Sequence, residues 1–451
     1  MQNKKKNFFG SDFSWILLLL FLIVFFFAKL FYPEPKIFAT AEIGINDVWY
    51  FNFPLKYFLS NQLKQGKLPT WDPYRGGGFP DLAESQVGTF NLYNLISYKL
   101  FPAIVAFNLG HIFIFFTAAI GTYLFIRRQK FNQLESFFGA FIYTFSGFFI
   151  AHLSHYLLIQ AASFFPLLLY FTDKILKKDR NLIVNIILFA FILSQQIFSG
   201  NPQTVFITLL GICFYTLYLK LTHQTDSGHA LILILAVVIG LVISAAQLLP
   251  LFELSQISLR NEGLGTQELL FYKFPFKLLI TLIFPFWFGN PQIGTYPHFN
   301  KFNGSIFWEN TAFIGIIPLL LILFNFLPSK KNLRDTFFYF FLLLISFLLM
   351  LGGDGPLYFI LTLPPFSYFR FPSRFLILFI FCLTMLTLYG LKKLTFTISQ
   401  KRFSIILSRT FVIVGTVHLF IFWYNYHPTI SYKDFAVKPA VVDFFYAGTA
   451  W

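Results

Sequence analysis

The sequence predicts an all-α protein that crosses a lipid bilayer about eleven times. Hydrophobic residues make up 57% of its 451 residues and charged residues only 12%, whereas about a quarter of a soluble domain is charged. Apolar runs of about 18 residues or more, long enough to cross a bilayer as helices, recur along the chain. These observations exclude a water-soluble globule and predict a single membrane body.

The predicted spans are separated by short polar turns and a few longer loops. They cover residues 14–32, 103–126, 133–151, 155–175, 182–199, 203–220, 229–250, 308–327, 336–352, 371–391 and 404–424. The first run follows Lys4, Lys5 and Lys6 but lacks a small-residue cleavage site, so we interpret it as a retained span. The apolar segment 274–287 is short and contains Lys277 and Pro285, which predicts a re-entrant or interfacial segment.

The basic residues predict the orientation of the chain, because Lys and Arg collect in short cytoplasmic loops. With the amino terminus inside, every strongly basic short loop falls on the same side. These loops contain Arg127, Arg128 and Lys130; Lys174, Lys177, Lys178 and Arg180; Lys330, Lys331 and Arg334; and Lys392, Lys393, Lys401 and Arg402. The net charge of +15 is thus explained by topology, and we expect no nucleic-acid partner.

Three of the outer loops are long, which indicates that they carry function. They cover 33–102, 251–307 and 353–370. In the first, apolar residues from Phe51 to Leu63 recur at helical spacing, and the polar residues between them are Asn52, Lys56, Asn61 and Lys64. This pattern predicts an amphipathic helix lying on the membrane surface. We expect residues 1–425 to form the membrane body and 426–451 to begin a shortened extracytoplasmic segment.

Asp47 is the first candidate for chemistry. It follows the first span and stands beside aromatic residues in the stretch from Ile45 to Tyr50. A carboxylate in such a place can have a raised pKa and act as a general base. The alternative is that Asp47 caps the following helix.

Further along the loop, Arg75 precedes three glycines, and Asp81 and Glu84 follow them. Consecutive glycines allow a ligand to approach the backbone closely, and a plain turn is the alternative. At the other end of the chain, Arg370 and Arg374 are four residues apart, a spacing that suits phosphate or diphosphate. The alternative for these arginines is snorkelling at the end of a span.

Other polar residues cluster at the outer ends of the predicted spans. They are His152, His155, Asn201, Gln203, Glu253 and Glu309. Two histidines without a nearby carboxylate are a weak metal signal, and Cys213 and Cys382 have no thiol or histidine partners that would form a zinc site or a disulfide. We therefore expect no metal site, and hydrogen bonding between helices is the alternative role of these residues.

Several stretches, in the expected order, resemble the bacterial YfhO-like membrane proteins of the GT-C superfamily of polyprenyl-phosphate-dependent glycosyltransferases. They are Asp47–Pro54, Gly66–Trp71, Gly78–Gln86, Gly200–Gln203, Gly355–Tyr358 and Phe369–Arg374. The resemblance implies a multi-span GT-C-like enzyme of the cytoplasmic membrane that transfers a sugar from a polyprenyl-phosphate donor to a cell-envelope acceptor at the outer face.

The resemblance also implies roles for individual residues. Asp47 would be the catalytic base of an inverting transfer, and Arg370, Arg374 and Arg75 would bind the donor phosphate. Superfamily members often show a paired acidic motif, whereas this chain has Asn46 before Asp47. This departure leaves open whether Glu42, Asp81 or Glu84 is a supporting acid and whether a divalent metal, which the sequence does not indicate, takes part.

Two other classes of function compete with this hypothesis. A transporter or flippase should carry polar groups near the bilayer midplane and broken helices in two repeats, and the sequence shows few midplane charges and no repeat. A noncatalytic envelope-assembly partner is the third reading, since YfhO-like proteins usually carry a large outer domain that this chain would lack.

Overall fold

The computed structural model describes residues 8–39, 47–258, 272–297, 306–327, 332–397 and 401–433. Glu42 lies outside these residues, as does most of the segment that begins at residue 426. Almost all of the regular structure described is helical.

The first half of the chain contains most of the short helices. Its α-helices are α1 (Phe8–Phe27), α2 (Phe53–Lys64), α3 (Asp81–Glu84), α4 (Leu92–Leu100), α5 (Ala103–Arg128), α6 (Gln133–Thr144), α7 (Gly147–Ala151), α8 (Tyr156–Ser163), α9 (Phe165–Leu176), α10 (Leu182–Ile197) and α11 (Pro202–Leu221).

The second half continues with α12 (Ser227–Ile243), α13 (Ala245–Gln256), α14 (Ile316–Leu323), α15 (Leu333–Met350), α16 (Tyr358–Leu361), α17 (Leu376–Thr397) and α18 (Lys401–Tyr424). Two short strands, β1 (Lys36–Phe38) and β2 (Thr429–Ser431), pair antiparallel, with Ile37 opposite Ile430. This pairing attaches the chain after the last helix to the first loop.

The predicted all-α polytopic membrane fold is confirmed. Among the described residues, eight helices are long and apolar enough to cross a membrane, and a ninth span is formed if α12 and α13, bent by 73°, count as one. The two other predicted spans are shorter apolar helices, Leu182–Ile197 and Ile316–Phe326. At 1.5 Å per residue the first is about 24 Å long, less than a hydrocarbon core of about 30 Å.

Two predicted spans differ in their internal structure. The span predicted at 229–250 is broken after Ile243, and Pro250 lies inside the second helix. The span predicted at 308–327 becomes helical only at Ile316, because the preceding residues form a 3₁₀ turn at Trp308–Asn310 and an extended stretch. The segment 274–287 contains the 3₁₀ helix Phe276–Leu282 and no α-helix.

The amphipathic helix of the first loop is more deeply buried than its pattern predicts. It is present as α2, but Asn52 and Lys56, expected on its polar face, are buried. The Asn52 amide donates to the carbonyl of Ser154 at 2.7 Å, and the Lys56 ammonium donates to the carbonyl of Val87 at 2.6 Å. Asn61 and Lys64 are exposed, as a surface helix requires, whereas the side of the helix that carries Asn52 and Lys56 packs against other parts of the chain.

The most buried helices lie at the centre of the bundle. Of the 18 most apolar consecutive residues in each of the stretches Gln133–Ala151 and Pro372–Thr395, 94% are buried. The corresponding share in Arg402–Tyr424 is 17%. The central stretches end close to His152 and begin close to Arg374. Polar side chains at these positions are consequently held by rigid, packed helices.

Ion pairs join the helix ends on one side of the bundle, which we call the basic end. Arg127 binds Asp12 at 2.7 Å and so links α5 to α1. Arg128 contacts Asp173 at 2.5 Å, which joins α5 to α9. Lys177 binds the same carboxylate at 2.6 Å. The side chain of Asp173 is fully buried, so these cations compensate a charge that has no access to solvent.

We expect Asp173→Asn to destabilise the protein by roughly 2–4 kcal/mol, because it leaves Arg128 and Lys177 without their shared buried partner. Reversible unfolding in detergent micelles measures the change. Asp179→Asn is the matched control, since Asp179 pairs with Arg128 but has a side chain that is 33% exposed. Equal losses in the two variants would contradict the structural role assigned to Asp173.

Candidate functional site

The end of the bundle opposite the basic end carries a buried ion pair between Glu309 and Arg374. Nε of Arg374 lies 3.0 Å from Oε1 of Glu309, and Nη1 donates to Oε1 of Gln203 at 3.1 Å. Gln203 in turn donates to the carbonyl of Phe371 at 2.7 Å. Three predicted residues from distant parts of the sequence therefore meet here, and we call this end the site end.

The Glu309 carboxylate is only 2% exposed. Burial acts to raise the pKa of Glu309, but the Arg374 guanidinium and the His152 ring outweigh it and hold the pKa well below its ordinary value. Ser373 also donates its hydroxyl to Oε2 at 3.3 Å, and Nε2 of His152 lies 3.6 Å from the same oxygen. Glu309 is thus an ionised, structurally fixed carboxylate.

Asp47 stands beside this pair but is more open. Its side chain is 38% exposed, and Oδ2 lies 3.3 Å from Nε2 of His155. Desolvation raises the pKa of Asp47 to about 6, and the charge of Arg374 acts in the opposite direction. Contacts through His155 and His152 link Asp47 to the pair of Glu309 and Arg374. No side-chain capping bond from Asp47 to the following helix is formed, so the capping alternative is not supported.

His155 is held as a neutral ring next to Asp47. Burial lowers the pKa of His155 to about 3, and the neighbouring His152 acts in the same direction. Nδ1 of His155 lies 2.9 Å from the hydroxyl of Ser154. With Nε2 protonated, the ring donates toward Asp47 and accepts from Ser154. Because burial raises the pKa of Asp47 and lowers that of His155, Asp47 is the stronger base of the two.

His152 is fully buried and its Nδ1 lies 2.8 Å from the carbonyl of Phe148. The His152 ring lies between Glu309 and His155, and the centroids of the two histidine rings are 5.3 Å apart. Among the described residues, no group of three or more His, Cys, Asp or Glu side chains is arranged to hold a metal ion. Nε2 of His155 contacts Asp47 at 3.3 Å, whereas Nε2 of His152 is buried 3.6 Å from Glu309 and makes no hydrogen bond among the described residues.

A second polar cluster surrounds Arg75. Its guanidinium lies 2.7 Å from Asp81 and 3.5 Å from Glu84, and it stacks 5.2 Å from the ring of Phe51, one helical turn beyond Asp47. Burial raises the pKa of Asp81 to about 7 despite the Arg75 charge. Two carboxylates share the Arg75 guanidinium, whereas Arg374 pairs with one.

A close backbone contact holds the Arg75 cluster against the helix ends. Gly200 has a φ of +82°, and a Cβ there would lie 2.5 Å from the carbonyl oxygen of Ser85. Only glycine fits such a position. The contact joins the loop after Glu84 to the turn between α10 and α11, and Gln203 lies just beyond this turn, at the start of α11.

The remaining predicted residues take other positions. Arg370 lies with its guanidinium 5.4 Å from the ring of Tyr272 and 4.9 Å from that of Phe371, close in sequence to Arg374 but outside its helix. Asn201 caps α11 by accepting the backbone N–H of Thr204. Glu253 is exposed on α13, apart from the contacts described above.

Sequence reasoning missed several neighbours of the site. Trp308 packs 5.5 Å from the ring of His155, and Ser154 and Ser373 orient His155 and Glu309. These residues stand next to predicted site residues in the sequence, and this adjacency is the signal that could have identified them. Asp72 was also missed, although burial raises its pKa beside Asp81.

No protein-family model matches the sequence, and no curated protein matches it. Among solved structures, the fold is similar to the Archaeoglobus fulgidus oligosaccharyltransferase in its apo form, with a TM-score of 0.45 and 11% identity over 93% of this chain. The chain spans 56% of the length of that protein. We infer function from the site, not from this likeness.

The Glu309 pair makes a pH-dependent contribution to stability. A carboxylate whose pKa is lower in the folded state stabilises the protein fully above its unfolded pKa, about 4.3, and loses this contribution as the pH falls. We expect Glu309→Gln to cost about 3 kcal/mol at pH 7, measured by unfolding in detergent, and the difference from the wild type to shrink below about pH 4.3.

The matched control for this prediction is Glu253→Gln, because Glu253 is an exposed glutamate. It should change the free energy of unfolding by less than about 0.5 kcal/mol at any pH. A Glu309→Gln variant as stable as this control at pH 7 would contradict the buried ion pair.

Proposed function

We propose that the protein is a GT-C-type membrane glycosyltransferase that moves a sugar from a polyprenyl-phosphate donor to a cell-envelope acceptor. The observation that carries the proposal is Asp47, a partly exposed carboxylate with a pKa of about 6 beside a fixed arginine. A general base needs solvent access and a pKa close to the working pH. Asp47 meets both requirements, whereas Glu309 and Asp81 are buried.

Asp47 would accept the hydroxyl proton of the acceptor. The acceptor oxygen then forms a bond to the anomeric carbon as the bond from that carbon to the donor phosphate breaks. One displacement of this kind inverts the configuration at the anomeric carbon. His155, neutral at pH 7, would donate toward Asp47 and keep the carboxylate oriented without neutralising it.

Arg374 would stabilise the charge of the departing lipid phosphate. Its bonds to Glu309 and Gln203 use Nε and Nη1, and among the described residues Nη2 makes no hydrogen bond. A guanidinium fixed in this way is pre-organised for a phosphate oxygen. Arg370, on the preceding turn, would provide the second cation. Arg75 would contribute less, since Asp81 and Glu84 share its charge.

The orientation follows from the same proposal. The basic end would face the cytoplasm, in keeping with the distribution of Lys and Arg, and the site end would face outward. The prenyl tail of the donor would lie among the apolar helices while its phosphate reaches the interface. A transport function receives no comparable support, because the polar residues described here lie at helix ends.

We expect Asp47→Asn to lower sugar transfer by about 100-fold or more, the usual contribution of a general base. The assay follows radiolabelled hexose from a polyprenyl phosphate into envelope material with purified protein. In the wild type, the rate should fall about tenfold per pH unit below about 6, because protonated Asp47 cannot accept the proton.

Asp354→Asn is the control, since Asp354 is a 51% exposed carboxylate that pairs with Lys273 in another loop. It should transfer sugar at a rate close to that of the wild type. Unchanged turnover in Asp47→Asn would remove Asp47 from the mechanism. Transport of the lipid without sugar transfer, measured in proteoliposomes, would favour the flippase alternative.

A further inference from the structure

A groove at the basic end opens between α1, α6 and α18. Its volume is about 800 Å³, within the range of about 300–1,000 Å³ that is typical of small-molecule sites. Trp15, Leu18 and Leu22 line one wall, and Ser408 and Arg409 lie on the other. Because Leu18 is 39% exposed on a helix long and apolar enough to cross a bilayer, the groove would open laterally toward lipid.

Arg409 places a charge inside this apolar surface. It lies eight residues into α18, about 12 Å from the start of the helix, and Ile405, Ile406 and Ile413 around it are exposed. Among the described residues, its guanidinium makes no hydrogen bond or ion pair. A charged group in the hydrocarbon region is costly unless it reaches a counter-charge or the interface.

The charges around the groove favour an anionic ligand. Glu135 also lines it, but its carboxylate accepts the backbone N–H of Asn132 at 2.9 Å and interacts with the charges of Lys392 and Arg127. Those cations compensate Glu135. Arg409 is thus left as the group in the wall whose charge requires a partner.

We propose that the groove binds one anionic phospholipid from the leaflet at the basic end. The lipid phosphate would pair with Arg409, whose long side chain can reach up toward the headgroup level. An acyl chain would lie against Trp15, Leu18 and Leu22, and the hydroxyl of Ser408 would donate to a glycerol ester. The site is separate from the candidate catalytic site and does not depend on the proposed activity.

The experiment is native mass spectrometry of the detergent-purified protein after incubation with phosphatidylglycerol or phosphatidylcholine. We expect one phosphatidylglycerol to be retained in preference to phosphatidylcholine, and Arg409→Gln to lower this retention about tenfold. Arg402→Gln is the matched control, because Arg402 is an exposed arginine on the same helix that is not in the groove wall. This variant should retain the lipid as the wild type does.

A second measurement locates the lipid. Phosphatidylglycerol with brominated acyl chains should quench the fluorescence of Trp15, measured as the difference between the wild type and Trp15→Phe. Equal retention of the two lipids, equal loss in Arg402→Gln and Arg409→Gln, or no quenching of Trp15 would each overturn the proposal. Displacement of the bound lipid by polyprenyl phosphate at equimolar concentration would overturn the assignment to a phospholipid.

Discussion

The buried carboxylate of Glu309 determines how the site end is built. An ionised group that is 2% exposed must be compensated by charge and hydrogen bonds, or it would be protonated or expelled. Ser373 and Arg374, at the start of one helical stretch, and His152, at the end of another, supply that compensation. Because these helices are the most buried in the bundle, the compensation also fixes Arg374 in position beside Asp47.

The two carboxylates at the site end, Glu309 and Asp47, have different roles because their environments differ. Glu309 lies directly against Arg374, and its pKa is held low, whereas Asp47 is further from that charge and desolvation raises its pKa to about 6. A similar contrast separates the two ends of the bundle. The basic end uses its ion pairs to join helices, as Asp173 does for α5 and α9, while the site end leaves one carboxylate partly exposed.

Much of this arrangement could be predicted from the sequence. Length and hydrophobicity of the apolar runs identified the helices, and the shared side of the polar residues brought Gln203, Glu309 and Arg374 together as candidates.

The burial of Asn52 and Lys56 could not be predicted, since both side chains hydrogen-bond to carbonyl groups far away in the sequence. The pairing of Arg75 with Asp81 and Glu84 was equally hidden, because it depends on the path of the loop and not on residue spacing alone. The exposed position of Glu253 shows that a place at a helix end does not by itself bring a residue into the site.

We propose that the site end, with Asp47 and Arg374, binds the lipid-phosphate donor. Photocrosslinking with a polyprenyl-phosphate sugar that carries a reactive group on the sugar tests it most directly. We expect labelled peptides from residues 47–54 and 369–375, with labelling reduced by unmodified donor. Labelling that is reduced by unmodified donor but confined to the basic end, at residues 127–135 or 174–181, would contradict this proposal.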